Sequence, residues 1–239
     1  MSRAYFVWKN DDCRSKGIEL AGPIPIIKPE ERVQHVTIPG RSGELTLTEG
    51  DGIYQSYIQT ASIILEGAFR INEIQNWLKG SGYVTFHGEP TRKQKARVIG
   101  AVTLTKHSRR SDWWEGEVQF YCDPLKENLT EAPETITTSG STVKNLGDVP
   151  ARPLLAVTAS GTTVEVAAGG NTLTITGATS STVYYIDCDA QIIWHIESNE
   201  TVVDTQLSSG KFPVLLPGSN SVTGSGWSSI TVTKRERFL

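Results

Sequence analysis

The chain sustains a helical period over only one short stretch, which excludes most of the folds open to 239 residues. Apolar residues instead alternate with polar ones in short runs broken by Gly, Pro, Asn and Ser. Gln55 to Leu65 (QSYIQTASIIL) is a long run of this kind. Ala4 to Trp8, Glu30 to Thr37, Tyr83 to His87, Ala96 to Thr105 and Trp114 to Cys122 predict further strands. Gly88 to Lys95 reads as a charged hairpin, and Asp123-Pro124 is expected to end the last of these strands. The helical exception is Ile71 to Lys79 (INEIQNWLK), where Ile71, Ile74, Gln75 and Leu78 share one face before Gly80 and Gly82 stop it.

Composition then shifts. Of 23 basic and 26 acidic residues, only 14 lie beyond position 135. That part of the chain consists of short runs of Val, Ile, Thr and Tyr between Gly, Ser and Asn turns: Thr163 to Val166, Thr172 to Thr176, Thr182 to Asp187, Gln191 to Ile196 and Ser229 to Thr233. Regular short strands of this kind predict an antiparallel β-sandwich. The expectation is a mainly β chain of two domains, residues 1–130 and 145–239, with a Thr/Ser/Gly-rich linker over 131–144.

Little in the chain carries chemistry. A formal net charge of −3 gives no global attraction to nucleic acid or acidic membranes. The start, MSRAYFVWKNDD, has no apolar core of a signal peptide, and no apolar run is long enough to cross a bilayer. Cys13, Cys122 and Cys188 are far apart and odd in number, which predicts reduced thiols and assembly in a cytosol. Asp187-Cys188-Asp189 lacks a second Cys or His at ligand spacing, so it reads as a strand end rather than a metal site, and no cofactor is expected. The histidines at 35, 87, 107 and 195 stand in no nucleophile motif, and there is no catalytic set to name. Trp194 shares a strand face with Ile192 and Ile196, which predicts a core position, with His195 facing the other way. The basic runs Arg92 to Arg97 and Lys106 to Arg110 read as solvated hairpin residues in a nearly neutral first domain.

The most shaped stretch is Val36 to Gly52 (VTIPGRSGELTLTEGDG). Pro39 presets φ, Gly40 and Gly43 tolerate positive φ, and the run Leu45 to Thr48 comes before a second turn at Glu49 to Gly52. Its glycines do not have phosphate-loop spacing. A rigid loop without reactive groups suggests an assembly part more than an enzyme; Pro39, Gly40, Arg41, Ser42 and Gly43 are the candidate interface residues, with a purely structural turn as the alternative.

Short marks in a fixed order extend over nearly the whole chain: Pro29 to Arg32 (PEER), Ile38 to Gly43 (IPGRSG), Val118 to Pro124 (VQFYCDP), Asn145 to Gly147 (NLG), Ala151 to Pro153 (ARP), Ile186-Asp187 and Gly210 to Asn220 (GKFPVLLPGSN). In this order the sequence resembles the distal tail proteins (Dit) of long-tailed, siphovirus-type phages and prophages. The resemblance implies a virion structural protein of the tail tip, or baseplate, and not an enzyme. Its first domain would be β-sandwich or barrel-like with one short helix, and would form a homohexameric ring, in some members two rings back to back. That ring would join the tail-tube protein to the tail-associated hub protein. A galectin-like or carbohydrate-module-like second domain would offer a platform for receptor-binding proteins and host adsorption. The alternative is a carbohydrate-binding module attaching to host glycans. Neither reading needs a cofactor, a specific nucleic-acid sequence or membrane insertion, and the tail-tip reading implies assembly in the bacterial cytoplasm.

Overall fold

The computed structural model describes residues 4–48, 52–66, 71–107 and 112–239. Residues 49–51 of the expected second turn and 108–110 of the second basic run lie outside them. The chain forms two compact units, Met1–Leu129 with Leu239, and Thr130–Phe238. Both are mainly β, as the alternation predicts.

The first unit holds β1 (Phe6–Trp8), β2 (Asp11–Asp12), β3 (Ile18–Leu20), β4 (Val33–Thr37), β5 (Glu44–Thr48), β6 (Tyr57–Glu66), α1 (Ile71–Trp77), β7 (Ser81–Phe86), β8 (Arg92–Lys106) and β9 (Trp113–Asn128). Its sheet runs in the order β2-β1-β7-β8-β9-β6-β3. The inward face of β6 is Gln59, Ala61, Ile63 and Leu65, and Val118, Phe120 and Cys122 from β9 extend it. Aromatic rings fill the space above that face. Phe120 meets the rings of Phe6 at 5.3 Å, Trp8 at 5.4 Å and Phe86 at 5.8 Å. Seven residues are too few for an isolated helix to be stable, and α1 is held by burying Ile74 against this cluster, with Leu78 just beyond it. Gly80 closes it with φ 74°.

β8 and β9 are longer than expected. β8 starts inside the expected hairpin, at Arg92, and β9 runs through Asp123-Pro124 to Asn128. Ala96 pairs with Cys122 but Gln94 with Lys126, so β9 bulges by two residues, and the bulge accommodates a proline that has no N–H to give. The buried Gln94 amide fills the bulge, donating to the Asp123 carbonyl and to the Tyr57 hydroxyl. Lys95 and Arg97 then point outward while Gln94 and Ala96 point inward, so the first basic run lies in a strand, with Lys93, Lys95 and Arg97 on one face, and is not a hairpin tip.

The second unit is a two-sheet antiparallel sandwich. One sheet contains β10 (Glu134–Ile136), β20 (Trp227–Thr233), β12 (Leu154–Ala159), β15 (Val183–Asp187), β16 (Ile192–Glu197) and β17 (Glu200–Val203), in that order. The other contains β11 (Ser141–Asn145), β19 (Gly218–Ser225), β13 (Thr163–Ala168), β14 (Asn171–Thr176) and β18 (Ser208–Gly210). Val157, Val164, Val166, Leu173, Ile175, Ile186, Ile193, Ile230 and Val232 meet in the core between them. The stretch 131–144, expected as a linker, carries β10 and most of β11. Its Ile136 and Val143 are buried, so the Thr- and Ser-rich composition marks exposed strand faces and not a free connector.

Candidate docking arm

Between β3 and β6, neighbours in the sheet, the chain leaves the body of the first unit. Ile24 is still buried in the core, and Ile26 lies against Gly88. Next comes the antiparallel bridge of Glu31 with Tyr54, with Gln55 N–H donating to the Glu30 carbonyl and Arg32 N–H to that of Ile53, both at 2.8 Å. β4 and β5 then pair with each other, from Val33↔Thr48 to Thr37↔Glu44. The result is a two-stranded arm.

The expected interface residues form its tip. Arg41 N–H donates to the Ile38 carbonyl at 3.1 Å, with Pro39 and Gly40 at the two central positions and Gly40 at φ 82°. That is the geometry of a type II turn, which needs a residue tolerating positive φ at its second centre. Gly43 has φ 86°. A Cβ on either glycine would meet nothing within 4 Å, so backbone conformation and not space demands them. Arg41 and Ser42 are exposed.

Strand alternation gives the arm two unlike faces. His35 and Thr37 stand with Thr46 and Glu44 on one, and the Thr46 hydroxyl and His35 Nδ1 are 3.2 Å apart. Val36, Leu45 and Leu47 stand on the other with Gln34, and Ile38 follows two residues after Val36. This apolar face is in solvent: Ile38 is 36 %, Leu45 36 % and Leu47 45 % exposed. A two-stranded hairpin is marginally stable alone in water.

No family model matches the chain, and no curated protein does. Among solved structures the chain is similar to the crystal structure of the phage SPP1 Dit protein, described as a paradigm of the hub adsorption apparatus in phages infecting Gram-positive bacteria. The TM-score is 0.79 at 19 % identity, over 100 % of both chains. The chain has the Dit fold. A weaker similarity is to the phage P2 baseplate in its activated conformation with Ca, with TM-score 0.50 at 9 % identity over 99 % of each chain.

Within this Dit fold the marks of the second unit have structural work. The buried Asn145 amide donates to the Leu215 carbonyl at 2.9 Å and the Val149 carbonyl at 3.2 Å, and its Oδ1 accepts from Gly147 N–H at 2.8 Å. Leu146 N–H donates to the Glu236 carboxylate, which ties the charged C-terminal residues to this turn. Asp187 is clamped by both Arg235 nitrogens, at 2.7 and 3.0 Å, and Asp189 pairs with Arg237 at 3.0 Å. The Arg235 hydrogen bonds hold the Asp187 carboxyl below its ordinary range. The three cysteines are free and buried, and burial pushes the Cys122 and Cys188 thiols up to about 12, which leaves them unreactive at neutral pH.

Trp194 corrects a sequence expectation. Ile193 is the core residue, while Ile192, Trp194 and Ile196 face outward, with Trp194 beside the Tyr185 ring at 5.5 Å and 14°. His195 faces inward, its Nδ1 2.5 Å from the buried Asp204 carboxylate. That pair fastens β16 to the turn after β17, a link of nine residues that sequence spacing alone did not reveal.

Proposed function

We propose that the chain is a structural component of a phage tail tip, of the Dit kind, and not an enzyme. The observation that carries this reading is the likeness to SPP1 Dit over the whole of both chains. On this reading the first unit assembles as a homohexameric ring between the tail-tube protein and the tail-associated hub protein. The second unit is the platform for receptor-binding proteins, and the molecule resides at the virion tail tip after assembly in the bacterial cytoplasm. Pro39 to Gly43 act as interface residues at the tip of the arm. Preorganised turns lose little entropy on docking, which suits repeated assembly from identical parts. Light scattering on the purified chain, with negative-stain imaging of the largest species, tests the ring. A six-fold particle with an open centre is expected. Arg41→Glu should remove it while leaving thermal unfolding unchanged, and an undiminished ring would exclude the tip as an interface.

The half-buried Tyr185–Trp194 pair on the outer face of its sheet supports a second reading, attachment to host glycans through the sandwich, because sugars stack on aromatic rings. A glycan array probed with the whole chain decides it. Binding that disappears in Trp194→Ala would establish the module, and an empty array would leave the scaffold alone.

A further inference from the structure

We propose that the outward face of β7, β8 and β9 carries a binding site for a sugar phosphate. This goes beyond the tail-tip reading and does not depend on it. The site is a shallow hollow of about 400 Å³ in the first unit, lined by Ser81, Tyr83, Lys95, Arg97, Tyr121 and Asp123. Cross-strand pairing sets these side chains out in two rows. Arg97 stands between Ser81 and Tyr121, and Lys95 stands beside Tyr83. Asp123, where the β9 bulge begins, completes the second row.

Each group has a role toward such a ligand. Lys95, Arg97 and Asp123 line one hollow, yet none of them forms an ion pair with a described residue. The two cations are roughly 7 Å apart along β8, close enough to share one phosphate, and a guanidinium grips phosphate oxygens in pairs. The third cation of this face is already engaged: Lys93 is 3.9 Å from the Glu127 carboxylate and 5.0 Å from the centre of the Tyr83 ring. Two free cations are few for nucleic acid, whose binding grows with the number of phosphates neutralised. Asp123 separates a sugar phosphate from bare phosphate. A carboxylate beside the cations repels an anion, but it accepts hydrogen bonds from sugar hydroxyls, and the Ser81 hydroxyl can do the same. Tyr121, 45 % exposed next to Arg97, offers its ring to the C–H face of the sugar. The volume is in the range of small-molecule sites. Two sources share this chemistry, a free sugar phosphate and a polymer whose sugars are joined through phosphodiesters.

Calorimetry on the full chain, with glucose 1-phosphate, glucose and inorganic phosphate as probes, tests the site. Glucose 1-phosphate should bind about tenfold tighter than either part alone. Lys95→Gln/Arg97→Gln should weaken it about tenfold or more, and Tyr121→Ala about threefold, with thermal unfolding unchanged because these side chains are exposed. Trp194→Ala, on the second unit, should leave the binding as it is, which separates this site from the glycan reading. Methyl glucosyl phosphate, a diester, distinguishes the sources. Binding as tight as that of the monoester points to the polymer, and binding lost in the diester points to the free sugar phosphate. Inorganic phosphate that binds as tightly as glucose 1-phosphate would make the hollow a plain anion site and overturn the proposal. Glucose 1-phosphate binding that survives Lys95→Gln/Arg97→Gln, or no binding of any probe at millimolar concentration, would overturn it as well.

Discussion

Two hairpins of nearly equal length show what burial adds to one local pattern. β13 and β14 pair from Thr163↔Thr176 to Ala168↔Asn171 around a two-residue turn, Gly169-Gly170, both at positive φ. Such a turn matches the twist of its strands and keeps them short and tight. Val164 is 0 % exposed, while Val166, Leu173 and Ile175 are 1 % exposed, because a second sheet covers them. β4 and β5 alternate just as well, yet their longer loop carries a type II turn, and their apolar face meets water. The first hairpin is stabilised by what lies over it within the chain. The second has no such cover among the described residues.

The largest effect expected from this contrast is in the covered hairpin. Leu173→Ala should lower the unfolding free energy by about 2–5 kcal/mol, read by urea denaturation. Asn145→Ala comes next, since it leaves the Val149 carbonyl and the Gly147 N–H without this partner, while the Leu215 carbonyl keeps the Ala151 N–H. A loss of about 1–3 kcal/mol is expected in the same assay. Asp187→Asn should cost about 1–2 kcal/mol near neutral pH, where the Arg235 clamp is intact. The sign comes from the lowered carboxyl: its stabilisation is whole above the unfolded-state value and is lost as pH falls through the lower folded-state value. The wild type should therefore lose stability on acidification through the carboxylate range more steeply than Asp187→Asn, by thermal melts across that range. Gly40→Ala should cost about 1 kcal/mol at most, from positive φ alone. Smallest of all, Leu45→Ala/Leu47→Ala should move monomer stability by no more than about 0.5 kcal/mol. A drop comparable to that of Leu173→Ala would erase the difference between the hairpins, because it would mean that the arm is covered within its own chain.

Much of this organisation was legible from residue order. The alternation from Gln55 to Leu65 became β6, the single helical period became α1, and the glycines of the Pro39 loop announced positive φ. Three features were hidden for physical reasons. Pro124 looked like a strand end because a bulge depends on the partner strand, where Gln94 and Ala96 set the register. Ile192 and Ile193 are both apolar, and alternation says only that they face opposite ways. Pairing of Tyr184 with His195 and Ile186 with Ile193 decided which face is the core and put Trp194 outside. Thr- and Ser-rich residues 131–144 looked free because their partner strands, β20 and β19, come near the far end of the chain. The arm's alternation was visible too, but no local pattern records whether a face is covered.

The arm departs and returns through Glu30 and Gln55, which are already hydrogen-bonded to each other where the ribbon begins. Everything beyond that point is an insert with adjoining ends. A two-residue turn in place of 31–54 would close the gap without disturbing β3, β6 or the core beneath them. The same geometry allows ribbons of other lengths there while the sheet that carries them stays as it is.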